Sequence, residues 1–130
     1  MLFNHVANRL DPRYFETVVE MLKVKLGFVE LRRTERAIWL RQKGTNVDLQ
    51  FSRSTTENRD ADKLRSQVSF LSETPRADLE DLVVWARAHG MDASVGSYSD
   101  KEFYLDVPAA FVDFVIEAMT PDLAEYGVAV

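Results

Sequence analysis

The sequence predicts an α+β fold built from two βαβββ-type modules, and three observations carry that prediction. Apolar segments of period two are interrupted by two segments of helical period. Each helical segment opens on a capping residue followed by proline and closes on glycine. The same order of signals then occurs a second time. His5 and Gln67 lie 62 residues apart, Pro12 and Pro75 63, Gly27 and Gly90 63, and Asp48 and Asp113 65. Two tandem copies of one supersecondary unit leave such offsets, because each copy needs the same start, stop and return.

LFNHVAN at 2–8 reads as a strand whose alternation places Phe3, His5 and Ala7 on one face. Asp11 is the expected helix cap and Pro12 the first helical residue. Phe15, Val18, Val19 and Leu22 form one apolar stripe, and Gly27 supplies a left-handed stop. Strands are expected at 28–34, 36–42 and 46–52, with turns at Thr34-Glu35 and Lys43-Gly44-Thr45. Residues 53–64 are polar and read as a surface linker. A strand at 66–72 opens the second module. Thr74-Pro75 repeats the helix start, Leu79, Leu82, Val83 and Ala86 repeat the stripe, and Gly90 repeats the stop. DASVGSY and KEFYLDV are two further strands. The expected division is one domain over 1–130, with modules 1–52 and 65–118, the linker 53–64 and a C-terminal tail 119–130.

Residues 108–119 fit two structures. As a strand, FVDFVIEAM turns Phe111, Asp113 and Val115 to one face, and its β-branched residues favour that state. As a helix opened by Pro108, it puts Asp113 and Glu117 on an exposed face at i, i+4, and its alanines and Met119 favour that state.

Composition bounds the function. With 46% hydrophobic and 28% charged residues, the chain is expected to form one compact domain. The absence of cysteine excludes disulfides, thiolate metal sites and cysteine nucleophiles. No apolar run reaches the ~20 residues of a membrane span, and no signal-peptide pattern opens the chain, so a cytoplasmic protein without membrane partners is expected. A net charge of -5 argues against nucleic acid; Arg32, Arg33, Arg36, Arg41 and Lys43 interleave with Glu30 and Glu35 around one hairpin. No serine–histidine–acid set and no glycine-rich phosphate loop is present. His89, at the end of the second helix, is read as structural.

With both modules in view, the chain resembles the vicinal oxygen chelate superfamily of glyoxalases, extradiol dioxygenases and bleomycin or fosfomycin resistance proteins. The resemblance rests on FNHVANRLDPRYFETVVEMLKVKLGF, NVDLQFS, SQVSFLSETPRADLEDLVVWARAHGM and KEFYLDVPAAFVDFV, and covers residues 1 to about 118. It implies a cupped mixed sheet around a cavity, with the helices outside. It also implies a divalent metal held by a histidine or glutamine from each first strand and a carboxylate from each last strand. On this sequence those positions are His5, Gln67, Asp48 and Asp113, a nitrogen and oxygen set suited to manganese, iron, nickel, cobalt or zinc. Both carboxylates are aspartate where the family usually has glutamate, and DVPAAF lacks the family's glycine turn.

Trp39 and Phe51 are the expected ligand contacts, being the strand aromatics nearest Asp48, with Tyr98 and Tyr104 as further candidates whose hydroxyls can donate. The reading that follows is a small-molecule binding protein of the glyoxalase or bleomycin-resistance type, binding an organic ligand in an aromatic-lined cavity without a metal. The alternative is a divalent-metal-dependent lyase, isomerase or dioxygenase acting on a substrate with vicinal oxygens. The resemblance implies a homodimer, for which the final VAV is a candidate contact.

Overall fold

A computed structural model describes residues 1–54 and 59–129. The first module consists of β1 (Leu2–Leu10), α1 (Phe15–Leu26), β2 (Phe28–Arg33), β3 (Ala37–Gln42) and β4 (Asp48–Arg53). A short helix α2 (Arg59–Lys63) leads to the second: β5 (Gln67–Leu71), α3 (Pro75–Ala88), β6 (Ser94–Ser97), β7 (Glu102–Asp106) and β8 (Val115–Met119). A 3-10 turn, Pro121–Ala124, follows. All eight strands form one mixed sheet in the order β2-β3-β4-β1-β5-β8-β7-β6. The order is the same read outward from either side of the β1/β5 junction, as duplication predicts. β1 pairs parallel with β4 and β5 parallel with β8, while the modules meet through the antiparallel β1/β5 pair.

Each helix buries its stripe on the convex face of its own module. Phe15, Val19 and Leu22 pack with Ile38 and Leu40, and Leu79, Val83 and Ala86 pack with Phe103, Leu105 and Ala118. Gly27 ends α1 at φ 70°, a left-handed conformation that costs a residue with a Cβ more than glycine. Pro75 opens α3 as expected. The start of α1 differs. Asp11 accepts the Arg13 N–H at 2.9 Å and its side chain pairs with the Arg13 guanidinium, so Asp11-Pro12 forms a turn of its own. The helix begins three residues later, at Phe15.

Two segments resolve differently from, or beyond, the sequence reading. Residues 115–119 are a strand, because the parallel partner β5 takes up their backbone groups from Gln67–Val115 to Leu71–Met119. The 53–64 connection carries the last residue of β4 and the whole of α2, while its residues 55–58 lie outside the described residues. Among the described residues, no helix is long and apolar enough to cross a membrane.

Candidate functional site

The sheet's concave face encloses a cavity of about 810 Å³ within a single chain. Period-two alternation decides which side chains enter it: His5, Ala7 and Arg9 from β1, Gln50 and Ser52 from β4, Gln67 from β5, and Glu117 and Met119 from β8. Strand register then decides which of them meet. Asp48, His5, Ser69, Glu117 and Tyr104 form one row across β4, β1, β5, β8 and β7.

His5, Gln67 and Glu117 converge on the cavity floor. The imidazole Nε2 lies 3.3 Å from Glu117 Oε1 and 3.4 Å from Gln67 Oε1, and all three residues are buried. The other ring nitrogen donates to Asn4 Oδ1 at 2.7 Å. Asn4 stands at a register shift between Phe3 and His5, where the irregularity lets two successive side chains of β1 lie together. Because the Nδ1 proton is committed to Asn4, the Nε2 lone pair of a neutral ring would face two acceptor oxygens. A proton on Nε2 or on the Glu117 carboxyl, or a metal ion among the three atoms, would relieve that clash. Ser69 donates to Glu117 Oε1 at 2.6 Å and fixes the carboxylate from behind.

The expected carboxylates lie elsewhere. Asp48 is fully buried on the concave side, one step along β4 from Gln50, and its two oxygens accept the Arg41 guanidinium bidentately, Nη2 at 3.0 Å. A buried aspartate requires a counter-charge, and here an arginine supplies it. Asp113 precedes β8 and is exposed. Glu117, two alternations further along, occupies the floor position. The symmetry mate of Glu117 is Gln50 and not Asp48: Ala7 pairs with Gln50 as Ser69 pairs with Glu117. The signal available in the sequence was the strand parity that the β-strand reading of 111–119 had already assigned, since Glu117 shares the face of Asp113 and Val115.

Trp39 and Tyr98 line the cavity. The Tyr98 hydroxyl donates to the Leu64 carbonyl, and burial pushes its phenol above the ordinary range, so it stays protonated. Phe51 points the other way and packs against the α1 core. Adjacent strand residues face opposite sides, so a residue three positions from Asp48 cannot share its face. Tyr104 meets Tyr98 in a tilted contact, ring centroids 4.8 Å apart, and lines a neighbouring hollow with Lys63 and Asp106. Glu102 also lines the main cavity, and burial, followed by the charge of Glu117, raises its carboxyl above the usual range. Tyr126, from the C-terminal tail, closes the module-one side; burial, followed by the charge of Asp48, pushes its phenol up to about 12.

Solved structures share this architecture. Homoprotocatechuate 2,3-dioxygenase of Brevibacterium fuscum, in its anaerobic complex with 3,4-dihydroxyphenylacetate, matches 92% of the chain at TM-score 0.54 and 12% identity, over 36% of its own length. A room-temperature structure of the extradiol ring-cleaving dioxygenase from the same organism matches 92% at TM-score 0.55 and 11% identity, over 32% of its length. The chain therefore spans about a third of the length of these enzymes. No protein-family model matches the sequence, and no curated protein matches it. At this identity the likeness establishes the fold alone, an α+β architecture with one mixed sheet that the chain shares with these dioxygenases.

Proposed function

We propose that the cavity takes a small organic molecule and holds a divalent metal ion on its floor through His5, Gln67 and Glu117, serving metal-dependent chemistry on a substrate with adjacent oxygens. The convergence of three buried donor atoms around one point supports this reading. Ligands bound about 2.0–2.2 Å from one ion, at angles between octahedral and tetrahedral, stand roughly 3.0–3.5 Å apart. The observed separations of 3.3 and 3.4 Å fall in that interval. One imidazole nitrogen and two oxygens suit manganese, iron, cobalt, nickel or zinc. Such an ion, when bound, supplies Lewis-acid polarisation of a substrate oxygen.

The chain's own residues account for the rest. Asn4 fixes the imidazole so that Nε2 faces the floor, and Ser69 orients the carboxylate. Glu102, at the cavity wall with a raised carboxyl pKa, is suited to hold or accept a proton from a bound molecule. The named dioxygenases act on a dihydroxylated aromatic acid, and their likeness favours this class of chemistry only through the shared fold.

A second reading is favoured by a specific observation. The His5–Glu117 contact is itself an ion pair when the ring is protonated, and it closes the floor without a metal. Among the described residues no group of three histidine, cysteine or acidic side chains could hold an ion, so the third ligand must be an amide. The protein is then a binding module that engages its ligand without reacting it.

Metal content of protein purified without chelator, followed by titration with manganese, iron(II) and cobalt, separates the two. About one ion per chain is expected, lost in His5→Ala and Glu117→Gln and retained in Asp113→Asn. Absence of binding at millimolar metal would refute the metal reading and leave the binding module.

A further inference from the structure

The cavity is lined by five arginines, Arg9, Arg32, Arg36, Arg53 and Arg65, in a protein whose net charge is -5. Two are neutralised within the chain. Arg9 pairs with Asp62 at 3.3 Å, and Arg53 with Glu16 at 2.9 Å. Arg32, Arg36 and Arg65 have no carboxylate in ion-pair contact among the described residues, although acidic residues outnumber basic ones 21 to 16. Three cationic side chains lining one cavity without carboxylate partners give it a positive potential that attracts an anion.

Arg32 is further organised. Its guanidinium lies 4.8 Å from the centroid of the Trp39 ring. Stacking restrains the plane while leaving the in-plane N–H donors uncommitted, which is the presentation that carboxylate and phosphate oxygens accept. Position across the sheet sets the length of the ligand. Arg32, Trp39, Gln50, Ala7 and Gln67 form one registered row over β2, β3, β4, β1 and β5. Four strand intervals are about 19 Å along a flat sheet. Curling and the reach of the side chains shorten this to the span of an organic molecule, whereas one inorganic ion could not touch both ends.

We infer that the ligand is an organic anion whose carboxylate or phosphate group is held by Arg32 and Arg36, with Arg65 adding to the positive potential of the cavity as a whole, while its uncharged end faces His5, Gln67 and Glu117. This builds on the reading of the cavity as a small-molecule site, and it does not need the metal.

The test uses the full chain in a Trp85→Phe background, where Trp39 is the single tryptophan and its fluorescence reports on the arginine wall. Phenylacetate, phenyl phosphate and the uncharged phenylacetamide are titrated into metal-free and metal-loaded protein. At low salt at least one of the anions is expected to bind about tenfold or more tighter than the amide. The advantage should shrink as salt is raised, and the tighter of the two anions assigns the head group. The Arg32→Gln/Arg36→Gln/Arg65→Gln variant, altered only at exposed residues, should lose the advantage while keeping the wild-type circular dichroism. Equal binding of anions and amide, no binding of any, or an advantage that survives in the triple variant overturns the inference. Discrimination by protein that takes up no metal would refute the metal reading and leave this one standing. Metal uptake without discrimination would do the reverse.

Discussion

Removing the arginine that covers Asp48 is the sharpest test of how the floor of the first module is held. Asp48 has no exposed side-chain surface, Arg41 is 24% exposed, and two hydrogen bonds join them. At the 3.0 Å contact and an effective dielectric of about 20, the attraction is about 5 kcal/mol, offset in part by desolvation of both charges. Arg41→Met removes the partner but leaves the carboxylate buried, for which a loss of about 3–5 kcal/mol is expected. For a urea slope of about 2 kcal/mol/M, the unfolding midpoint should fall by about 2 M. The double variant Arg41→Met/Asp48→Asn removes both charges and should recover most of that loss. Metal binding should be unchanged in Asp48→Asn if the variant is folded. A loss below about 1 kcal/mol in Arg41→Met, or loss of metal in a folded Asp48→Asn protein, would refute the assignment of Asp48 to arginine.

Three further outcomes follow from the same geometry. Phe15 is fully buried between α1 and the sheet, so Phe15→Ala should cost about 3–5 kcal/mol by chemical denaturation. Gly96 lies beneath the Tyr104 ring, and a Cβ there would overlap it; Gly96→Ala should cost about 1–3 kcal/mol, with much of that recovered in Gly96→Ala/Tyr104→Ala. Glu102 has a raised carboxyl pKa, so the folded state holds its proton longer than the unfolded chain does. Its contribution is present below the ordinary carboxyl range and is lost as pH rises through the raised value. Urea melts of Glu102→Gln across that range should show a weaker decline with pH than the wild type.

Much of the architecture is legible in the residues. The stripes of Phe15, Val19 and Leu22 and of Leu79, Val83 and Ala86 fix both helices, and Gly27 fixes the first stop. The equal spacing of the two modules anticipates the symmetric order of the sheet. The site is half legible. His5 and Gln67, which the structure brings together, lie on the first strand of each module, whose position is set locally. The carboxylate depends on register, which is set by pairing with a strand far away in sequence and moves whole side-chain sets when it changes. An offset of 65 selected Asp113, whereas the pairing of Gln67 with Val115 makes the structural offset between Gln50 and Glu117 equal to 67. Asp11 resembles a cap, but its own turn with Arg13 satisfies it first. Phe51 was misplaced by proximity along the chain, although its parity with Leu49 already turned it toward the helix.

The seam between β1 and β5 has a consequence for how such a molecule changes over time. Two identical halves assembling as separate chains must carry every floor residue in pairs, so any substitution strikes both walls at once. Covalent fusion frees each wall to diverge. Here one side carries the acidic Glu117 and its counterpart the neutral Gln50, so the hollow is chemically asymmetric although the strands around it are not.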